Sequence, residues 1–247
     1  MTAKRLFWIL PLLAAFLFAT NALAQHDHGD HGHGKKQDDA KAAARVGDAY
    51  SLSTCPISGK KLGSMGDPVV KLYERREVRY CCGGCIAKFE KDLAASLSAL
   101  DAKTIADQGS LYPLDTSVVS GKKLPEKAHE FVYGNRLVRV ADEKEKAEFG
   151  KEPAKFLKVL DAAVVNAQGK DYVLKQCPVS ADKYGGDMGD PVDLVVGGRL
   201  VRLCCKSCKD DVEKTPAKFV ELVDAARKKV AEAKAGEANP DKPKEKK

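Results

Sequence analysis

The stretch REVRYCCGGCIAKFEKDLAASL, residues 76–97, carries an alternating segment, three cysteines and a helical segment in immediate succession. The segment before the cysteines alternates charged and apolar side chains, as a strand does when one of its faces is buried. Beyond the cysteines, apolar residues recur at the spacing of a helix, at Ile86, Phe89, Leu93, Leu97 and Leu100. The stretch therefore predicts a strand that ends at a cysteine cluster and is followed by a helix.

This stretch is one of three copies. RLVRVADEKEKAEFGKEPAKFL at 136–157 and RLVRLCCKSCKDDVEKTPAKFV at 199–220 align with it. A second motif precedes each copy, with YSLSTCPISGKKL at Tyr50, YPLDTSVVSGKKL at Tyr112 and YVLKQCPVSADKY at Tyr172. Repetition at a nearly constant offset is typical of tandem structural units, so we predict three modules of roughly 60 residues each.

Within each module, turn signals and periodicity predict the order of the elements. Glycine and proline mark a turn in GSMGDP and GGDMGDP, and VDLVVGGRLVRL predicts a β-hairpin around its Gly-Gly pair. A helix follows, and in the third module Thr215 and Pro216 predict its start and Gly236 its end. The predicted fold is α+β, with three small tandem repeats that each place a short β-hairpin before an α-helix.

These boundaries divide the chain into six predicted segments. They are a signal peptide (1–24), a flexible histidine-rich leader (25–45), a cysteine-bearing repeat 1 (46–104), a degenerate repeat 2 without cysteines (108–166), a cysteine-bearing repeat 3 (168–235) and a polar tail (236–247). The tail is expected to be disordered because EANPDKPKEKK has no apolar content to fold.

The N-terminus predicts the compartment. Lys4 and Arg5 precede the apolar run LFWILPLLAAFLFA, and Ala22 and Ala24 flank Leu23 in an A-x-A cleavage signature. We expect cleavage after Ala24 and export to the periplasm or the cell exterior. The run is short and interrupted by proline, and no other run approaches membrane length, so no membrane span is expected after cleavage.

Charge and composition argue against several classes of function. Removal of Lys4 and Arg5 lowers the formal net charge from +7 to +5, and 35 acidic residues are scattered among the basic ones. Aromatic residues are few and form no interleaved basic stripe, so nucleic acid is not an expected partner. The chain also lacks a nucleophile elbow, a phosphate-binding glycine loop and an HExxH motif, and we predict no enzymatic activity.

All eight cysteines lie in two clusters. In each, one cysteine near a strand is followed 26 to 31 residues later by three more at a strand-to-helix junction. A distant ligand combined with a local group suits a metal site, and thiolate sulfur is soft enough for Zn²⁺ or Cu⁺. The helix N-terminus is also expected to lower the pKa of the local thiols. The candidate ligands, for about one ion per intact repeat, are Cys55, Cys81, Cys82, Cys85, Cys177, Cys204, Cys205 and Cys208.

The middle repeat lacks all four cysteines at once. Ser117, Ala141, Asp142 and Glu145 occupy their positions, yet the apolar pattern of the repeat survives. The module is therefore expected to fold without thiols, and the cysteines are expected to serve something beyond basic packing. The joint loss agrees with a metal site and with a disulfide framework alike, so it does not separate the two.

The motif CPISGKK, followed later by VRYCCGGCIAKFEKD, resembles the YHS/TRASH-type modules. Their pattern of a cysteine, a longer span and C-x-x-x-C before a helix maps onto Cys55, Cys81, Cys85 and Phe89 in repeat 1 and onto Cys177, Cys204 and Cys208 in repeat 3. Cys82 and Cys205 are additional to that pattern, and Val212 stands in place of the phenylalanine. The resemblance implies binding or sensing of copper or another heavy metal, with a metal transporter or another metalloprotein as partner.

A second predicted metal-binding feature follows the cleavage site. HDHGDHGHG, residues 26–34, contains four of the five histidines of the chain, namely His26, His28, His31 and His33. An imidazole-rich tract of this kind captures Cu²⁺, Ni²⁺ or Zn²⁺, although a solvated linker is the alternative. Met65 and Met188 both lie in MGDP turns of the cysteine-bearing repeats. A thioether suits Cu⁺, and core filling is the other reading of these methionines.

Two other interpretations of the cysteines stay open. Export favours disulfides, and a bridge from Cys55 to Cys82 or Cys85 would make the chain a stapled structural or interaction protein. CGGC and CKSC open a helix as the C-x-x-C pairs of thiol–disulfide oxidoreductases do, but the βαβ context is missing. The leading hypothesis is an exported protein that binds, buffers or delivers copper or zinc.

Overall fold

The computed structural model describes residues 45–185 and 189–237. Within them, each repeat builds a two-stranded antiparallel sheet followed by helices, which confirms the α+β class and the tandem hairpin-helix units. Repeat 1 contains β1 (Val69–Tyr73), β2 (Arg76–Tyr80), α1 (Gly84–Glu90) and α2 (Leu93–Gln108), and a short 3-10 helix (Gly109–Leu111) follows. Repeat 2 contains β3 (His129–Tyr133), β4 (Arg136–Val140), α3 (Glu143–Lys151) and α4 (Pro153–Gly169). Repeat 3 contains β5 (Val192–Val196), β6 (Arg199–Leu203), α5 (Cys208–Lys214) and α6 (Pro216–Glu237).

Three predicted segments lie wholly or mostly outside residues 45–185 and 189–237. The predicted signal peptide, the leader up to residue 44 and the tail from residue 238 lie outside the described residues. Within residues 45–185 and 189–237, no helix is both long enough and apolar enough to cross a membrane.

Each hairpin closes through a two-residue turn in which both residues have positive φ, the geometry that matches the twist of paired strands. The predicted Gly197–Gly198 turn is confirmed, with φ values of 55° and 74°. Gly134 and Asn135 form the turn of repeat 2, whereas repeat 1 uses Glu74 and Arg75 at 48° and 68°. A non-glycine residue in this region costs about 1–2 kcal/mol. The turn of the first hairpin is therefore unfavourable for the backbone of Glu74 and Arg75, and the packing of the hairpin must offset this cost.

The helical segment of each repeat is two helices rather than the predicted one. In repeat 1 the break falls at Asp92, whose carboxylate accepts a hydrogen bond from a backbone amide and caps α2. Pro153 and Pro216 begin α4 and α6, where a missing N–H leaves no helical bond unmade. Thr215 precedes α6 as predicted, although its hydroxyl donates back to the preceding helix. The helix continues through Glu237, past the predicted stop at Gly236.

Each short helix packs onto its own hairpin through one buried side chain. Phe89, Phe149 and Val212 are equivalent and at most 1% exposed. The Phe89 ring lies 5.5 Å from the ring of Tyr80 and 5.3 Å from that of Tyr73, measured between centroids. Val212 thus fills the same place as the two phenylalanines, and the middle repeat keeps this core contact without any cysteine.

The repeats contact one another in a closed cycle. α2 packs on β3 and β4 of repeat 2, and α4 packs on β5 and β6 of repeat 3. Gln108 and Gln168 fix these contacts in the same way, since each side-chain oxygen accepts a hydrogen bond from a strand amide, at 2.9 and 2.8 Å. Arg79 of β2 closes the cycle because its guanidinium donates to the main-chain carbonyls of Glu213 and Lys214 in α5.

Three equivalent arginines begin the second strand of each hairpin and form ion pairs where the repeats meet. Each pairs with an aspartate on the long helix of its own repeat, as Arg76 with Asp101, Arg136 with Asp161 and Arg199 with Asp224. Arg136 also pairs with Asp48, and Arg199 with Asp107, at 2.9 and 2.5 Å. Both of these aspartates belong to repeat 1, so the pairs join repeats 2 and 3 to it.

Candidate metal centres

One loop geometry presents the distant cysteine in both intact repeats. The Cys55 amide donates to the Lys60 carbonyl at 2.9 Å, and the Gly59 amide donates to the Cys55 carbonyl at 3.0 Å. Cys177 makes the same two bonds, at 2.8 and 2.9 Å. Gly59 has a φ of 68°, and Ala181 occupies the equivalent position at 63°. The loop backbone thus fixes the first sulfur of each site.

The other sulfurs come from the junction between the second strand and the short helix. Cys81 directly follows β2, and Cys85 lies in the first turn of α1. Cys204 and Cys208 hold the same positions around β6 and α5. The chain turns sharply between strand and helix, so the Sγ atoms of Cys81 and Cys85 approach to 3.7 Å and those of Cys204 and Cys208 to 3.8 Å.

The structure brings three predicted ligands together in each intact repeat. The Sγ atoms of Cys55, Cys81 and Cys85 all lie within 4.8 Å of one another, and all three side chains are buried. The equivalent triad of repeat 3 consists of Cys177, Cys204 and Cys208. All eight cysteines are free thiols in the structure. Three soft donors at this separation are close enough to hold one metal ion of the Zn²⁺ or Cu⁺ type.

The fourth cysteine of each cluster lies at the edge of its triad. The Cys82 Sγ is 3.8 Å from the Cys85 Sγ, and the Cys205 Sγ is 3.8 Å from the sulfurs of Cys204 and Cys208. Both peripheral cysteines are half-buried, whereas the triad cysteines are buried. Neither belongs to the set of sulfurs that all lie within 4.8 Å. Each cluster therefore consists of a buried triad and one peripheral thiol.

A serine three residues after the distant cysteine contacts each triad. The Ser58 Oγ lies 3.2 Å from the Cys81 Sγ, and the Ser180 Oγ lies 3.3 Å from the Cys204 Sγ. Sequence reasoning did not name these serines as site residues, although the serine that recurs in CPIS and CPVS was the available signal. A hydroxyl that donates to sulfur stabilises the thiolate, so the serines favour ligation.

The distant cysteine carries the most readily formed thiolate of each triad. Burial alone would raise the pKa of Cys55, but hydrogen bonds from Ser58 and from nearby backbone amides outweigh it and lower the pKa to about 6. The same balance lowers the pKa of Cys177 to about 7. The peripheral Cys205 also has its pKa lowered to about 7, chiefly by the Ser207 hydroxyl. Negative charge is therefore available in both clusters near neutral pH.

The cysteines at the helix starts behave in the opposite way. Burial, together with hydrogen bonds to the neighbouring sulfurs, raises the pKa of Cys85 to about 12. The pKa of Cys208 is raised for the same reasons. The predicted lowering by the helix N-terminus is therefore wrong for these two thiols. Their protons remain in the triad until a metal ion displaces them, since a coordinating thiol is deprotonated.

We expect metal binding by repeat 1 to depend on pH with two slopes. Above the Cys55 pKa of about 6, this sulfur is already anionic, but Cys85 must still lose its proton to the metal, so affinity falls as the pH falls. Below that pKa, Cys55 must lose a proton as well, and the slope should steepen by one proton per ion. Chelator competition between about pH 5 and pH 8 measures both slopes, on the Cys177→Ser chain with the four leader histidines replaced by alanine. One slope across the whole range would contradict this assignment of the thiolate.

Comparison with known proteins adds no relative. No family model, curated protein or solved structure matches the chain. The support for these sites is therefore their geometry and the internal comparison between the repeats.

Of the predicted metal-binding residues other than the cysteines, the structure describes only Met65. The predicted histidine ligands of the leader lie outside the described residues, as does Met188. These histidines are His26, His28, His31 and His33. Met65 is 54% exposed, and its sulfur lies 3.7 Å from the Lys60 Nζ. The two triads are thus the part of the predicted ligand set that the structure assembles.

The middle repeat fills the same space with hydrogen bonds. Ser117, at the position of the distant cysteine, donates to the Glu145 carboxylate, with 2.5 Å between the oxygens. The same carboxylate accepts a hydrogen bond from the Ala141 amide at 2.8 Å, and Asp142 caps α3. Burial opposes ionisation of Glu145, but these bonds outweigh it and lower the pKa of the carboxyl. The junction of loop, strand and helix is therefore complete in repeat 2 without sulfur.

Proposed function

We propose that this is an exported, non-enzymatic protein that binds, buffers or delivers a soft transition metal. Copper is the first candidate and zinc the second, because both accept thiolate ligands. The observation that supports the proposal most directly is the buried triad of sulfurs, built twice with the same geometry. Each intact repeat would hold one ion.

Packing alone does not account for the triads. Repeat 2 builds the same hairpin, loop and short helix with Ser117 and Glu145 in place of two cysteines. Its core residue Phe149 is as completely buried as Phe89 of repeat 1. Because one repeat folds without thiols, three sulfurs brought together in each of the others need a further explanation, and ligation supplies it.

The charge balance of the triads also favours a metal ion. Ionisation of a second and third sulfur beside the Cys55 thiolate would concentrate negative charge in a buried site, which is costly without a counter-ion. The pKa of Cys85 is raised because ionising this buried thiol beside the other sulfurs is unfavourable. A bound cation removes it, because it pairs with all three thiolates at once.

The sequence outside the described residues completes the proposal. The histidine-rich leader would capture ions for the same purpose, through imidazole ligands at His26, His28, His31 and His33. The signal sequence supports export to the periplasm or beyond. The resemblance to YHS/TRASH-type modules supports a role in heavy-metal handling, with a metal transporter or another metalloprotein as the partner.

Thiol–disulfide chemistry is the second candidate function. The Cys82 and Cys85 sulfurs lie 3.8 Å apart in a C-x-x-C pair, which is near enough for a modest movement to bring them to the ~2.05 Å of a disulfide bond. Such a pair would exchange electrons with another dithiol and need no metal. Metal content and thiol count together separate this candidate from ligation.

The test uses the full chain with the four leader histidines replaced by alanine, isolated from its native compartment. We expect about two soft metal ions per chain by mass spectrometry, one for each triad. We also expect the six triad thiols to react only after chelation or unfolding. No metal together with no free thiols before reduction would identify a disulfide scaffold. No metal together with two reversibly oxidised thiols per repeat would identify an oxidoreductase.

A further inference from the structure

The peripheral thiol of repeat 1 differs from the triad in both position and accessibility. We propose that Cys82 is the exchange ligand of this site, the sulfur through which a bound ion passes to and from an incoming thiol. The inference rests on the proposed function, since it assumes that the triad holds a metal. It extends that function by naming the route of transfer and the side from which an acceptor approaches.

Distance makes Cys82 a suitable relay. Its sulfur lies 3.8 Å from the Cys85 Sγ, so an ion on the triad can bond to Cys82 after a short displacement. Cys82 is half-buried, whereas Cys55, Cys81 and Cys85 are buried. Of the four sulfurs, Cys82 is therefore the one that an external ligand can approach while it still contacts the triad.

The two residues after Cys82 leave the approach open. Gly83 has a φ of −61° and a ψ of −30°, a conformation that every amino acid adopts. Gly84 is the first residue of α1, and a Cβ added to Gly83 or Gly84 would meet no atom within 4 Å. Neither backbone strain nor close packing requires glycine here. The effect of the pair is that neither of the two residues between Cys82 and Cys85 carries a side chain.

Repeat 3 provides an internal contrast. Lys206 and Ser207 replace the two glycines, and the Ser207 Oγ lies 3.0 Å from the peripheral Cys205 Sγ. Ser207 holds the position of Gly84, and its backbone is helical, with φ −65° and ψ −25°. The peripheral thiol of repeat 3 thus has a hydrogen-bond partner beside it that repeat 1 lacks, so repeat 3 should retain its ion longer.

The transfer step is a ligand substitution and needs no oxidant. Cys82 gives up its proton as it bonds to the ion, and one triad sulfur takes up a proton as its bond to the ion breaks. Incoming thiols then bond to the ion and give up their protons, while the two remaining triad sulfurs and finally Cys82 leave the ion and take up protons. The oxidation state of the metal does not change, each bond formed releases one proton and each bond broken takes one up, and any difference is exchanged with solvent.

Both experiments use the full chain with the four leader histidines replaced by alanine, and the first isolates repeat 1 by Cys177→Ser. The chain is loaded with Cu⁺ without oxygen, the bound copper is measured, and its release to excess dithiothreitol is followed after rapid mixing. We expect Cys82→Ser to slow both release and loading, on the order of tenfold. Faster release from the serine variant would overturn the proposal, because it would make Cys82 a fourth ligand of a closed site. Unchanged rates would also overturn it, by showing Cys82 to be a bystander.

A reciprocal exchange of the intervening residues tests the role of the open approach. Gly83→Lys with Gly84→Ser should slow release from repeat 1, and Lys206→Gly with Ser207→Gly should speed release from repeat 3 in a Cys55→Ser chain. Equal rates before and after both exchanges would overturn the proposed difference between the repeats. The copper bound before mixing reports separately on the proposed function, since a chain that binds no copper fails at that stage.

Discussion

Replacing Cys55 by serine is expected to remove one metal ion per chain, and replacing Cys177 as well is expected to remove both. Each triad consists of three sulfurs within 4.8 Å, so the loss of one leaves two buried thiols and a hard, neutral hydroxyl. We expect the affinity of the altered site to fall by more than about a hundredfold. Metal per chain in chelator-buffered solution, with the leader histidines replaced by alanine, measures the change.

The cysteine-free repeat supplies the control for this experiment. Ser117→Ala alters the same loop position in repeat 2, where the structure shows no neighbouring thiol among the described residues, and should leave both ions bound. If the chain with both Cys55→Ser and Cys177→Ser kept two ions, the local cysteines alone would bind them. The distant cysteines would then not be ligands, and the triad would not be the functional unit.

Replacing Arg136 by methionine is expected to lower the free energy of unfolding by about 3–5 kcal/mol. Arg136 is 2% exposed to solvent, and its guanidinium pairs with Asp48 at 2.9 Å and Asp161 at 2.8 Å. Its removal leaves the Asp48 carboxylate, itself 11% exposed, without a compensating charge. It also severs a contact between repeats 1 and 2. Urea unfolding of the reduced, metal-free chain measures the loss.

Lys151→Met is the matched control for the arginine. It likewise removes a cation from an ion pair, with Glu148 at 2.6 Å, but both side chains are exposed to solvent. Exposed pairs are screened and contribute little, so this variant should unfold at nearly the same urea concentration as the parent chain. If Arg136→Met and Lys151→Met destabilised the chain equally, the buried ion pairs would not be what joins the repeats.

The local structure of each repeat could be predicted from sequence because its signals are local. The Gly197–Gly198 pair predicts a hairpin turn. The alternating residues before the cysteines predict a strand, and the helical spacing after them predicts a helix. The break between the two helices was missed in repeat 1 because the apolar spacing from Phe89 to Leu93 runs across Asp92 without interruption. Only the hydrogen bond that the Asp92 carboxylate accepts shows that a new helix starts there.

The contacts between repeats left no comparable signal in the sequence. Arg79 binds two main-chain carbonyls of α5, and such acceptors are present at every residue, so no pattern marks the pair. The arginine–aspartate pairs join residues as far apart as Arg199 and Asp107, which periodicity within one segment cannot connect. The closed cycle therefore becomes visible only in three dimensions.

The proximity of the sulfurs was more predictable than their acidity. The spacing of the cysteines indicated which sulfurs would meet, and the two triads contain six of the eight. Their acidities depend instead on burial and on Ser58 and Ser180, neither of which a helix-terminus argument includes. Within the triads, the pKa is therefore lowered for Cys55 and Cys177 and raised for Cys85 and Cys208, which open the helices.

The anchoring of each hairpin by its neighbours determines how binding energy is used. In an isolated zinc finger, much of the energy of ligation serves to fold the chain. Here contacts between repeats hold the two cysteine-bearing hairpins, through Gln168 on β6 and Arg79 of β2, so less of the energy of ligation would be needed to fold the site. An ion bound as proposed would then enter and leave the triad without unfolding the core around it. The protein could thus be emptied and refilled many times without exposing an unfolded state to the proteases of its compartment.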